Sequence, residues 1–182
     1  MIGVLPIGKV PPLVPKVAAA HISGYLNVPA QCLAPLPLPE SAWDRRRLQY
    51  DAGRLLKALE PMAFEGCRKV IGMLAVDLFV PIFSHVFGEA RQGGNLALVS
   101  TFRLRQDPQE SEPSPLTLAR SAKVTLHELG HLFNLHHCQD PECLMHFSGS
   151  VADLDQPEIF FCRYCAQYFR DTLQRRPSQA AG

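Results

Sequence analysis

Four of the chain's seven histidines lie between positions 127 and 137, in the run HELGHLFNLHH. His127 and His131 are four residues apart, so on a helix they project from one face about 40° apart. Both imidazoles can then reach one ion at a Zn–N distance of about 2.0–2.1 Å. Glu128 is rotated by about 100° from His127, and its carboxylate can reach a water beside such an ion. This is the HExxH arrangement, in which one helical turn supplies two ligands and a general base.

Two histidines leave a zinc site short of ligands. His137 lies six residues past His131, about 240° around an unbroken helix. It reaches the same ion only if the helix stops and the chain turns back. A left-handed residue does this, and Asn134 is the best non-glycine choice for that conformation. The expectation is a positive φ at Asn134 and a helix from Ser114 to about 134, with Ser114 and Pro115 as its start signal. His136, about 140° from His131, is the competing third ligand.

Beyond the helix, Cys138, Cys143, Cys162 and Cys165 are spaced C-x4-C-x18-C-x2-C. Four thiolates with one tight pair suit a structural tetrahedral zinc. Two disulfides, or unrelated buried thiols, are the competing readings. His137 and Cys138 are adjacent, so the two sites are coupled through the chain: the four-cysteine zinc anchors the returning segment and thereby positions His137. Met145 can form an apolar floor beneath the imidazoles. Cys32 and Cys67 read as plain buried thiols. His21 and His85 have no supporting pattern and read as structural, as does Asp77 inside its apolar strand. His146 reads as a surface or core residue.

Composition narrows the partners. Charged residues make up 19% and the formal net charge is +1. No basic stripe argues for nucleic acid and no polybasic block for a membrane surface. The longest apolar run, Val70 to Phe83, is broken by Asp77 and too short to span a bilayer. The opening MIGVLPIGKVPPLVPK is not a secretory signal, because no basic residues precede its apolar start and prolines break it. A cytoplasmic location is expected, where six cysteines point to metal ligation more than to disulfides.

The remaining periodicity suggests a buried strand over 2–7, a helix within 10–26 starting near Pro15, and a short strand followed by an extended proline-rich segment over 28–39. Leu48, Ala52, Leu55, Leu56 and Leu59 follow one helical stripe, so a helix is expected over about 41–59, with Ser41 as its cap and Asp44 in its first turn. A central strand over 70–76, a hairpin of 84–90 with 96–104, a polar loop over 106–115, a short helix near 163–173 and a frayed tail over 175–182 complete the expectation.

With these residues in view the chain resembles the archaemetzincins. That family's motif is HExxHxxGxxHCx4CxMx17CxxC. Here it reads HELGHLFNLHHC, QDPE, CLM, sixteen residues and CRYC, with Asn134 in place of the glycine and the last spacer one residue shorter. VLPIG, WDRRRLQYDAGRLL, IGMLAVDLFVP, FGEA and ALVSTFRL are also similar to archaemetzincin segments, so nearly the whole chain is covered. The resemblance implies an α+β fold: a minimal metzincin with a mixed twisted sheet and two long helices in an α/β-like upper subdomain (1–137), and a small zinc-stapled lower subdomain (138–182). It implies two zinc ions. The catalytic one sits on His127, His131 and His137 with Glu128 as general base and Met145 as the Met-turn, and the structural one on Cys138, Cys143, Cys162 and Cys165.

The implied activity is zinc-dependent hydrolysis of peptide bonds by a zinc-bound water that Glu128 activates. The alternative is a catalytically silent, zinc-stabilised module that binds peptide or protein on the same scaffold. A peptide or protein substrate is the expected partner, bound in extended form along the edge segment HVFGEAR (85–91). Nucleic acid and membrane are not expected as partners, and a monomer is expected.

Overall fold

The computed structural model describes residues 1–107 and 109–174; the expected tail over 175–182 lies outside them. In chain order the elements are β1 (Ile2–Pro6), α1 (Leu13–Leu26), β2 (Ala30–Cys32), β3 (Trp43–Asp44), β4 (Gln49–Asp51), α2 (Ala52–Leu59), β5 (Lys69–Leu74), β6 (Leu78–Phe79), β7 (Gly88–Ala90), β8 (Leu96–Ser100), α3 (Pro115–Leu132), α4 (Val151–Asp155) and α5 (Arg163–Gln174).

The main sheet has the order β2-β1-β5-β8-β7. Its first four strands are parallel and β7 is antiparallel to β8 at the edge. Helices cover both faces, which is why β5 and β8 are apolar apart from Lys69 and Ser100 at their ends, with every residue buried. Alternation along β8 sorts the two cores. Ala97 and Val99 pack towards α1 and α3 with Ile22, Leu126 and Leu129; Leu96 and Leu98 pack towards α2 with Leu55, Leu56 and Leu59. Cys143, Leu144, Met145, Phe161 and Phe169 join the first of these cores, so the C-terminal segment shares the hydrophobic interior of α1 and α3. Among the described residues no helix is long and apolar enough to cross a membrane.

The helix expected over 41–59 is only half right. Its last turns form α2, capped by Asp51, whose side chain accepts the Arg54 N–H at 3.1 Å. Residues before it instead form the antiparallel pair β3–β4, with Trp43 against Tyr50 at 5.0 Å between ring centroids. Ser41 lies in a short 3-10 turn, and Asp44 accepts the N–H groups of Arg46 and Arg47 rather than serving a helix. Leu48 has φ 55° and is 69% exposed, so the stripe that included it was accidental there. The deciding contacts are distant in sequence: β4 pairs with β6, and Gln49 donates to the Asp77 carboxylate at 3.0 Å. Asp77 also takes a bidentate pair from Arg103 at 2.7 Å, which bears out its structural reading. Cys32 and Cys67 correct a second expectation. Cys32 is exposed on the outer strand β2 and Cys67 is only partly covered.

α1 begins at Leu13, slightly ahead of expectation, with Pro15 tolerated in its first turn. The short helix α4 was not anticipated, although its capping box, Ser150 with Asp153, is legible in the sequence. Arg120 on α3 fastens the far end of α4 by bonds to Asp155 at 2.8 and 2.5 Å. The Arg120 hydrogen bond holds the Asp155 carboxyl below its usual value. The stability this pair contributes is therefore present above the unfolded carboxylate pKa of about 3.9 and lost as pH falls through the lower folded value. Asp155→Asn should lower the thermal midpoint near neutral pH, and its gap from the parent protein should narrow steadily below about pH 4. A pH-independent gap would contradict the assignment.

Candidate metal centres and active site

Helix α3 carries the first two histidines. Ser114 caps it, accepting the Thr117 N–H at 3.2 Å. The His127 and His131 Nε2 atoms lie 3.1 Å apart. Each ring is oriented from behind: Nδ1–H of His127 donates to the Leu144 carbonyl and Nδ1–H of His131 to the Leu135 carbonyl, both at 2.8 Å. That tautomer leaves both Nε2 lone pairs facing inward.

The helix ends as expected. Asn134 has φ 69°, its N–H bonds the His131 carbonyl at 2.9 Å, and the Leu135 N–H returns to the Gly130 carbonyl at 3.0 Å. The reversal brings His137 to the other two, with ring centroids 5.3 Å from His127 and 4.8 Å from His131. One ligand atom from each of the three falls within 4.8 Å of the others. His136 is exposed and outside this set.

The four cysteines converge likewise, with their sulfurs within 4.8 Å of one another. They are free thiols gathered into one cluster of four rather than two separate pairs, which favours the metal reading over disulfides. Cys138 and Cys162 sulfurs are 3.8 Å apart, close to the edge of about 3.8 Å in a tetrahedron with 2.3 Å Zn–S bonds. The pair of Nε2 atoms at 3.1 Å is similarly near the edge of about 3.3 Å expected for Zn–N bonds of 2.0–2.1 Å. Both donor sets thus suit a tetrahedral ion. Burial pushes the Cys143 thiol up to about 11 and also raises Cys165, so without a cation these protons stay on. Burial pushes His127 down to about 3 and lowers His131 and His137, which keeps the imidazoles neutral and available as ligands.

The segment between the cysteines closes the floor. The Cys138 N–H donates to the Met145 carbonyl at 2.8 Å, and the His146 N–H to the Cys143 carbonyl at 2.8 Å. Met145 is fully buried, and a Cβ at Gly130 would fall 2.5 Å from its Sδ. The glycine before His131 is therefore what admits Met145 against the helix. His146 points its Nδ1–H at the Cys138 carbonyl, and His21 bonds the Val17 carbonyl of its own helix; both are structural. His85 packs on Phe87 and lines the cleft.

Glu128 faces the edge strand. A Cβ at Gly88 would lie 2.5 Å from its Oε1, so β7 can pass this closely only with glycine there. Burial, together with nearby Glu89, raises Glu128 well above the usual carboxylate value. Glu128, the three histidines and β7 border one cavity of about 420 Å³. Phe147 stands at its mouth, edge-on to His137 at 5.3 Å and touching Phe83 across the cleft at 6.1 Å. Sequence reasoning missed the roles of Gly88, Gly130, Phe147 and Lys123. Only Lys123 left a direct signal, being four residues before His127 and so on its face.

Comparison with known proteins agrees with this architecture. The family model for peptidase family M54 matches residues 20–171. The archaemetzincin of Methanopyrus kandleri is 40% identical over 156 residues, 85% of each chain; its crystal structure superposes with a TM-score of 0.82 over 96% of both. The archaemetzincin of Pyrococcus furiosus is 34% identical over 96% of this chain and 95% of its own. A zinc-dependent peptidase from Methanocorpusculum labreanum has 26% identity and a TM-score of 0.83 over 93% of this chain and all of that one. A mixed sheet backed by helices, over a histidine cluster and a cysteine cluster, defines a zinc metallopeptidase. More particularly, the chain belongs to peptidase family M54, the archaemetzincins.

The helix end gives a direct test. Asn134→Gly should fold with near-parental stability. Asn134→Ala should cost about 1 kcal/mol in urea unfolding, the penalty for an ordinary side chain in the left-handed region. Equal stability of the two variants would contradict the reversal geometry.

Proposed function

We propose that this chain hydrolyses peptide bonds in an extended peptide laid along β7, with Glu128 as general base. His127, His131 and His137 would hold the catalytic zinc, and Cys138, Cys143, Cys162 and Cys165 a structural one. A zinc ion held by three neutral imidazoles supplies Lewis acidity, polarising the scissile carbonyl and lowering the pKa of a coordinated water to about 7. The chain's own residues supply the rest. Glu128 accepts the proton of the attacking water and returns it to the leaving amine. Burial, which favours the protonated carboxyl, makes it a readier proton acceptor than an exposed carboxylate.

The peptide's docking rail follows from strand register. Ser100 N–H donates to the Phe87 carbonyl at 2.8 Å, so in this antiparallel pair Phe87 and Glu89 bond inward, and Gly88 and Ala90 turn their N–H and C=O groups to the free edge. A peptide strand would pair with those two residues. Met145, packed on Gly130 next to His131, would serve as the Met-turn residue. The observation that carries the reading is the buried carboxylate of Glu128, adjacent to His127 and set against Gly88 of that edge. A purely structural metal site has no use for it, which weighs against the silent binding module.

Glu128→Gln should lower peptide hydrolysis by about 10²–10⁴-fold with zinc content unchanged by metal analysis. Gly88→Ala should do much the same by displacing the carboxylate. Product profiles equal to the parent's on a mixed peptide library would remove the peptidase reading. The tie between the two metal sites is testable separately. Cys143→Ser should weaken zinc at the three-histidine site in a chelator competition, because Cys138 and His137 are adjacent and share one anchored turn. Unchanged affinity there would refute the coupling.

A further inference from the structure

Between Ser121 and Gly130, only Lys123 and His127 on α3 escape full burial. They lie one turn apart on the same face, about 5–6 Å between Cβ atoms, and both line the cavity. The Lys123 ammonium donates to the carbonyls of Leu154 and Asp155, at 3.0 and 3.4 Å, where α4 ends. Its stem is thereby stretched along the cavity wall instead of swinging in solvent. An ammonium has three N–H groups, so one remains for a further acceptor.

No carboxylate among the described residues bonds it. The Asp155 carboxylate is held by Arg120, and it and Glu158 act on Lys123 only through space. The cavity that Lys123 lines also carries apolar residues, among them Val124, Leu144, Leu154 and Pro157. Such residues strengthen a charge pair and offer a carboxylate no competing partner. The acids of the cleft, Glu128 and Glu89, lie beside the edge strand. The acidic side chains of the cleft thus sit at β7, and the basic one sits a helical turn before His127.

We propose that Lys123 is a specificity-determining residue that binds a carboxylate of the peptide next to the scissile bond, an inference that rests on the peptide-hydrolysis reading above. The spacing to His127 is within reach of the side chain of the neighbouring residue, or of a chain end one or two residues on at about 3.3 Å per residue. Two sources present the same chemistry: an acidic side chain and the free C-terminal carboxylate.

The test uses fluorescent peptides that differ only as Glu against Gln at positions flanking the scissile bond, or as C-terminal acid against amide. Binding is read by anisotropy on zinc-loaded Glu128→Gln protein, alone and with Lys123→Met or Lys123→Arg added; hydrolysis is read on the parent. The carboxylate form should bind about tenfold more tightly. Lys123→Arg should keep that preference and Lys123→Met should abolish it. The Glu/Gln pair or the acid/amide pair, whichever shows the effect, identifies the source. If Lys123 only fastens α4, Lys123→Met weakens all peptides alike and leaves the ratio intact, which overturns the proposal, as does equal binding of acid and neutral forms by the parent site. A preference in binding without any hydrolysis would keep Lys123's role and overturn the peptidase reading; hydrolysis without preference would do the reverse. No binding of any peptide would overturn both.

Discussion

The reversal after His131 is the constraint on which the rest of the site depends. Continued as a helix, α3 would carry His137 about 240° away from His131. Asn134 at φ 69° stops it; that conformation costs most non-glycine residues about 1–2 kcal/mol but asparagine tolerates it, and local bonds hold the turn. The Leu135 N–H closes on the Gly130 carbonyl, and the His131 ring donates back to the Leu135 carbonyl. The same turn therefore ends the helix, fixes the second imidazole and delivers the third. Phe133 at the turn is buried against Phe169 of α5 at 4.9 Å, so the turn is also tied to the hydrophobic core.

The two metal-type clusters are joined through backbone, not through shared ligands. The strip from Cys143 to His146 runs between them. Cys143 belongs to the sulfur cluster, the Leu144 carbonyl orients His127, Met145 packs on Gly130, and the Met145 carbonyl binds the Cys138 N–H. A cation among the four thiols would remove protons that burial otherwise retains on Cys143 and Cys165. That exchange would stiffen the strip, and the orientation of His127 would follow.

Local chemistry was legible in the sequence wherever spacing alone determines geometry. The HELGH turn, the asparagine stop, the cysteine pairs and the Ser114–Pro115 start all translate directly into the observed structure, because each rests on contacts within a few residues. The segment WDRRRLQYD did not translate, and the reason is physical. Its leucine stripe fits a helix, yet Asp44 can satisfy two backbone N–H groups in a turn, and the pairing of β4 with β6 outweighs propensity by joining residues 28 apart. Nothing within the segment encodes Asp77. Gly88 was hidden for the same reason: its need to be glycine comes from Glu128, forty residues away in sequence.

The closeness of Gly88 to Glu128 also links base strength to occupancy. The carboxylate already sits well above its usual value because the edge strand and the core leave it little water. On the proposed reading, a peptide paired with Gly88 and Ala90 covers the same side of the cleft and removes more of that water. Desolvation disfavours the charged form, so bound substrate would make Glu128 a stronger acceptor of the water's proton, which it then returns to the leaving amine. The glycine that lets strand and helix approach is then part of what sets the strength of the base, and any side chain at that position would separate the base from the rail along which its substrate lies.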